Sequence, residues 1–146
     1  MILDKFFSKQ EQSDIKTAVK EAELNTSGEI RVHIEKELKG DPLDRAAYLF
    51  ERLGMHRTKK RNGILFYLAI ESRKFSILGD AGINAKVPDD FWDNIKEKME
   101  ENFKNGDFTG GLTTGIVITG EQLKKHFPYQ TDDVNELSDD ISFGKN

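Results

Sequence analysis

The sequence predicts a single α/β domain, an α/β/α sandwich around a small mixed β-sheet. Apolar residues recur at helical spacing in four segments, and they alternate or form short unbroken runs in three others. These segments follow one another in the order α-β-α-β-β-α-α. A chain of 146 residues is also long enough to form one domain with a substantial core.

The first half of the chain predicts a helix, a strand and a second helix. The first helix covers Glu11 to Leu24, because its apolar residues recur every three to four positions. The segment EIRVHIE, residues 29–35, alternates apolar and polar side chains, which is typical of a strand with one buried face. The second helix begins at Pro42, with Asp41 as its N-cap, and ends at Gly54.

A buried strand and a hairpin are predicted next. The run GILFYLAI, residues 63–70, is apolar throughout and suits a central strand that is buried on both faces. Glu71 and Ser72 then turn the chain into RKFSILG, residues 73–79, which is close enough to pair with the preceding strand.

Two helices follow. One opens after Pro88-Asp89-Asp90, and the other is capped by Asp107. In the latter, Gly111 and Gly115 are expected to allow a close approach to the sheet, and the β-branched run IVIT, residues 116–119, leaves a strand as an alternative.

Composition and the two ends of the chain exclude several classes of protein. The net charge of −4 argues against binding to nucleic acid, and the absence of cysteine excludes disulfides, thiolate zinc sites and a cysteine nucleophile. Neither a signal peptide nor an apolar run of about 20 residues is visible, so we expect no membrane span and a cytoplasmic location. The domain is predicted to cover residues 1–128, and the acidic tail, residues 129–146, is predicted to be disordered.

The predicted topology gathers polar residues at one rim of the sheet. A β-α-β crossover makes the first two strands parallel, and the hairpin makes the third antiparallel to them. The third strand therefore ends where the other two begin, beside the loop ILGDAGINAKVPDD, residues 77–90. The candidate ligands at this rim are Glu29, Asn62, Asp80, Asn84, Asp89 and Asp90.

Carboxylate and amide oxygens on loops suit calcium, which tolerates irregular geometry. Loop amides and a helix N-terminus suit an anion such as phosphate equally well, with the basic loop of residues 57–61 beside them. Asp89 or Asp90 can instead serve only as a helix cap, and Asp80 only as a turn residue. The opposite rim, with Glu35, Asp41 and Glu71, is expected to be an ordinary solvated edge.

The histidines do not form a recognisable site. His33, His56 and His126 lie far apart on different elements, and we expect each to be a surface or packing residue. Of the three, His56 in the basic loop is the one kept as a reserve candidate.

Four stretches together resemble the TPM domain family: TSGEIRVHI, NGILFYLAIESRKFSILGDAGI, VPDDFWDNI and FKNGDFTGGLTTGI. This family contains thylakoid-lumen acid phosphatase-like domains, and the chain resembles a stand-alone bacterial-type member. The resemblance implies an α/β/α sandwich with a polar cavity at the loop rim, binding of divalent metal, notably calcium, and acid phosphatase activity. Many relatives carry an Asp pair at the hairpin, where this chain has Glu71 and Ser72.

We therefore expect a calcium-binding domain that acts as a binding or accessory module. The alternative is a metal-assisted acid phosphatase that acts on phosphomonoesters through a metal-bound water. A third interpretation is a plain protein-interaction domain. Metal-type ligands are present and a convincing nucleophile is not, which favours the first.

Overall fold

The computed structural model describes residues 6–24, 26–128 and 141–144. Its helices are α1 (Lys9–Glu23), α2 (Pro42–Arg52), α3 (Ala81–Asn84), α4 (Phe91–Lys104) and α5 (Phe108–His126). Its strands are β1 (Glu29–Glu35), β2 (Gly63–Ala69), β3 (Lys74–Gly79) and β4 (Ser142–Phe143). The predicted α/β class and the order of the long elements are confirmed.

The strands form one mixed sheet in the order β3-β2-β1-β4. β2 pairs parallel to β1 and antiparallel to β3, as the crossover and the hairpin predict. Every residue of β2 is buried, because the strand has neighbours on both edges and helices over both faces.

Two apolar cores lie on the two faces of the sheet. Ile64, Phe66 and Leu68 point into the larger core, which contains residues of α1, α4 and α5. Leu65 and Tyr67 point to the other face, where they pack with residues of α2. The alternation along β2 thus separates the helix layers of the α/β/α sandwich.

Short polar side chains fix where the helices begin. Ser8 forms a capping box with Glu11, so α1 starts two residues before the predicted Glu11. Asp41 accepts a hydrogen bond from the Leu43 amide, and Asp107 accepts one from the Gly110 amide. Both aspartates therefore act as the predicted N-caps.

The last long helix confirms one expectation and corrects another. Residues 116–119 are helical, as predicted, and the strand alternative is wrong. A Cβ at Gly111 would lie 2.2 Å from Phe103, and one at Gly115 would lie 2.4 Å from the Met99 sulfur, so these glycines admit side chains of α4 and not the sheet. Neither α5 nor any other helix within the described ranges is long and apolar enough to cross a membrane.

Three short elements were absent from the predicted order, and one of them is the single-turn 3₁₀ helix Met55–Arg57. The loop after β3 contains the single-turn helix α3, whose N-cap is Asp80. Residues 141–144, assigned to the disordered tail from the sequence, carry β4 at the edge of the sheet. The prediction of disorder for residues 129–140 and 145–146 concerns positions outside the described residues.

Candidate functional site

The loop rim is the end of the sheet where β1 and β2 begin and β3 ends. Backbone hydrogen bonds hold its segments together: Glu29 N donates to Asn62 O at 3.1 Å, and Asp80 N donates to Gly63 O at 2.9 Å. The Asn62 side chain adds a bond from Nδ2 to Ser27 O at 2.7 Å. The structure thus brings three of the six predicted ligands, Glu29, Asn62 and Asp80, to one place.

Glu29 and Asp80 lie on the same face of the sheet. Residues two apart on a strand share a face. Gly63, the partner of Glu29, lies two residues before Leu65, which faces α2. Asp80 lies two residues after Leu78, which faces the same side. Gly63 lies between the two carboxylate-bearing residues and has no side chain to separate them. Glu29 is 3% exposed and Asp80 is 7% exposed, so both acidic groups are withdrawn from solvent.

Asp80 is held by an arginine from the basic loop. Arg61 donates from Nε to Oδ2 at 2.7 Å and from Nη2 to Oδ1 at 2.8 Å, and the Ala81 amide donates to Oδ1 at 2.7 Å. Burial alone would raise the pKa of Asp80, but the bonds from Arg61 and Ala81 outweigh it and hold the pKa below its usual range. Arg61 itself has a left-handed backbone with φ of 51°, which is uncommon for a residue other than glycine.

Two oxygens at the rim have unused hydrogen-bonding capacity. Asn62 Oδ1 and Ser27 Oγ are buried and make no hydrogen bond with any residue in the described part of the chain. Buried polar atoms are normally satisfied, so such atoms indicate a place for a ligand, an ion or water.

Asn84 anchors the loop instead of pointing into the rim. Its Nδ2 donates to Gly79 O at 2.9 Å, and its Oδ1 accepts from Trp92 Nε1 at 3.0 Å. Asp89 and Asp90 are exposed just before α4, and neither side chain makes a hydrogen bond or ion pair with another described residue. Asp90 occupies the N-cap position of α4, but its side chain makes no capping bond.

The donor set limits which metal the rim suits. Within residues 6–24, 26–128 and 141–144, no three His, Cys, Asp or Glu side chains are grouped so that they could hold a metal ion. A cation at the loop rim would therefore need a mixed set of oxygens, drawn from Glu29, Asp80, the Asn62 amide and backbone carbonyls. Such sets fit calcium far better than zinc.

A cleft of about 710 Å³ opens at the same rim. Its basic lining residues, Lys60, Lys86 and His126, come from the loop before β2, from the end of the α3 loop and from the end of α5. Ser27 contributes a hydroxyl group to the wall. Sequence reasoning placed Lys86 in the rim loop without considering it as a ligand. It missed the position of His126, because a residue at the end of a long helix is placed at a rim only once the helix length and packing direction are known.

The opposite rim differs from the expected solvated edge. Glu35 is 7% exposed and accepts hydrogen bonds from Arg45 and from the Tyr67 hydroxyl. His33 lies beside it with Nε2 3.5 Å from Glu35 Oε2. Only Asp41 and Glu71 match the expectation of exposed acidic groups.

The TPM domain family model matches residues 2–122 of this chain. The NMR structure of the BA42 protein from the psychrophilic bacterium Bizionia argentinensis is 47% identical, with a TM-score of 0.89, over 95% of this chain and 96% of that one. None of the curated proteins matches the chain.

Two more distant structures share the fold. The N-terminal domain of the cg2496 protein from Corynebacterium glutamicum is 16% identical, with a TM-score of 0.67, over 89% of this chain and 81% of that one. The N-terminal domain of a protein from P. gingivalis is 19% identical, also with a TM-score of 0.67, over 85% and 83% of the two chains. At these identities the likeness concerns the fold alone.

Proposed function

This chain belongs to the TPM domain family, and we propose that its loop rim binds a divalent cation, with calcium preferred. The observation that carries the proposal is the convergence of buried oxygen groups from Glu29, Asn62 and Asp80 around Gly63. In this interpretation the domain acts as a binding or accessory module.

The unsatisfied oxygens support a cation rather than a purely structural cluster. The Asn62 amide is oriented by its bond to Ser27 O, which leaves Oδ1 as a buried acceptor with no donor among the described residues. A calcium ion binds such amide oxygens readily, together with carboxylates and backbone carbonyls.

Arg61 is the group that a cation would replace. Its guanidinium neutralises Asp80, yet its side chain is 52% exposed and can turn outward into solvent. Calcium binding would then replace the single positive charge of the guanidinium beside Asp80 with the double charge of the ion.

Calcium titration followed by amide chemical shifts tests this proposal. We expect saturable shifts at residues 27–29, 61–63 and 79–84, and a rise in unfolding free energy of about 2.7 kcal/mol at a hundredfold excess over the dissociation constant. Asp80→Asn and Glu29→Gln should weaken binding by tenfold or more. Asp107→Asn is the matched control, since Asp107 caps α5 and asparagine also caps helices.

Equal losses in Asp80→Asn and Asp107→Asn would contradict the proposal. Shifts confined to residues 129–146 would do so as well, because they would assign the binding to the acidic tail.

A second function, phosphomonoester binding with metal-assisted hydrolysis, is favoured by the basic cleft. Lys60, Lys86 and His126 can attract a phosphate group next to the proposed cation. The cation would supply a Lewis acid and an activated water, and the lysines would hold the phosphate oxygens.

Turnover of a generic phosphomonoester by the wild type and by Asp80→Ala, with and without calcium, tests this second function. We expect calcium-dependent turnover that Asp80→Ala abolishes, and weaker substrate binding in Lys86→Gln. If calcium binds but no turnover occurs, the first function stands and the second falls.

A further inference from the structure

A buried polar cluster on β1, away from the loop rim, holds the C-terminal strand. His33 is 4% exposed, and its Nδ1 lies 2.8 Å from Ser142 Oγ. Its Nε2 lies 3.5 Å from Glu35 Oε2, so the ring links the hydroxyl of β4 to a buried carboxylate. No residue of this cluster takes part in the proposed cation site.

Glu35 is fixed in place by its other partners. Arg45 donates to Oε1 at 3.0 Å and to Oε2 at 2.6 Å, and Tyr67 Oη donates to Oε1 at 2.6 Å. A Cβ built at Gly144 would lie 2.9 Å from Glu35 Cγ. Glu35 cannot move away from such a Cβ without losing these hydrogen bonds. The cluster therefore requires glycine at position 144 of the docked segment.

Backbone bonds and apolar packing complete the recognition. Ser142 and Phe143 pair in parallel with His33 and Ile34, and Gly144 N donates to Ile34 O at 2.8 Å. Ile141 and Phe143 pack against the larger core. The edge of β1 therefore recognises an extended segment with the order apolar, hydroxyl, apolar, glycine.

This attachment is short in comparison with the rest of the sheet. The β1–β4 ladder pairs two residues, whereas the β1–β2 ladder pairs seven. Each hydrogen bond contributes about 1 kcal/mol net. A docked segment held by a few such bonds can leave and be replaced by an identical one.

We propose that the outer edge of β1 at His33 to Glu35 is a strand-docking site that accepts residues 141–144 of a second copy of this chain as well as its own. The occupant follows from the contacts, because the segment that satisfies His33, Glu35 and Ile34 is present in every copy. Exchange between copies retains each contact and is a low-cost route to a dimer. Docking within one chain corresponds to an effective concentration of about a millimolar, so exchange should become measurable near that protein concentration.

A peptide of residues 138–146, SDDISFGKN, provides the first test with the full chain. We expect it to bind Gly144→Val, whose own segment is blocked, with saturable amide shifts at His33 to Glu35. Wild-type chain should bind it at least tenfold more weakly, because its own segment competes. Gly40→Val is the matched control, since no atom lies within 4 Å of a Cβ there, and it should behave like the wild type.

Ser142→Ala provides a second variant that keeps the glycine. Loss of one hydrogen bond should make the wild-type peptide bind this variant about fivefold more tightly than it binds the wild-type chain. Unchanged amide shifts in β2 and β3 verify that each variant is folded.

The second copy is tested with a spin label, because the chain has no cysteine of its own. One copy, without isotope labels, carries a nitroxide on Asn146→Cys. It is mixed near a millimolar with isotope-labelled Gly144→Val, and the nitroxide should then broaden the His33 to Glu35 amide signals of the isotope-labelled copy. Failure of the peptide to shift these amides at millimolar concentration would overturn the docking site. Peptide binding without broadening between copies would overturn the second copy as its occupant.

Discussion

At the residue scale, Glu35 is expected to make stability depend on pH. Burial alone would raise its pKa, but interactions with His33, Arg45 and Tyr67 outweigh burial and hold the pKa of Glu35 well below its usual range. A carboxylate whose pKa is lower in the folded state stabilises the fold above its unfolded pKa of about 4.3, and this stabilisation is lost as the pH falls below that value. Glu35→Gln should therefore lower the unfolding free energy at neutral pH by about 2 kcal/mol.

Urea unfolding between pH 3 and pH 7 measures this effect. The difference between wild type and Glu35→Gln should shrink toward low pH, because the wild-type carboxylate loses its advantage there. Glu71→Gln is the control, since Glu71 is half exposed and only 3.5 Å from Lys36 in a surface pair. A difference in unfolding free energy that stays constant over the pH range would show that packing, and not charge, accounts for the stabilising effect of Glu35.

At the element scale, the contact between α1 and α5 depends on Gly120. A Cβ there would lie 2.6 Å from Ala22 Cβ and 2.7 Å from Ala22 Cα. Alanine is favoured over glycine in a helix by about 1 kcal/mol, but overpacking against backbone costs about 1–3 kcal/mol. We expect the second effect to dominate, so Gly120→Ala should lower the melting temperature, whereas Gly40→Ala, with open space around it, should not. A higher melting temperature for Gly120→Ala would mean that α1 and α5 can move apart to admit the methyl group without a loss of unfolding free energy.

The length of an element determines whether the sequence could predict it. Long elements such as β2 and α4 repeat their pattern over many residues, and the parallel and antiparallel pairing that follows is enough to place Asp80 beside Asn62. A single turn such as α3 or a two-residue strand such as β4 carries too little pattern to detect. Arg61, which pairs with Asp80, also has a left-handed backbone that no local sequence pattern predicts.

At the scale of the whole molecule, groups of opposite charge share the loop rim. The buried carboxylates lie at the same rim as a basic cleft, and Arg61 carries a positive charge bonded to Asp80. Its removal should therefore affect the two possible ligands, a cation and an anion, in opposite directions. Arg61→Gln releases Asp80 and should strengthen calcium binding by about fivefold, the effect expected of one nearby charge. Binding of inorganic phosphate should weaken instead.

Arg57→Gln is the matched control for this prediction. It removes the same charge from the same loop, but Arg57 is exposed and is not among the groups that bond to or act on the Asp80 carboxylate. Isothermal titration with calcium and with phosphate gives both dissociation constants for each variant. If the two arginine variants change calcium affinity equally, net charge alone determines the calcium affinity of the loop rim. If Arg61→Gln weakens calcium binding, Asp80 is not a ligand, because a carboxylate freed from its guanidinium has to bind a cation more tightly.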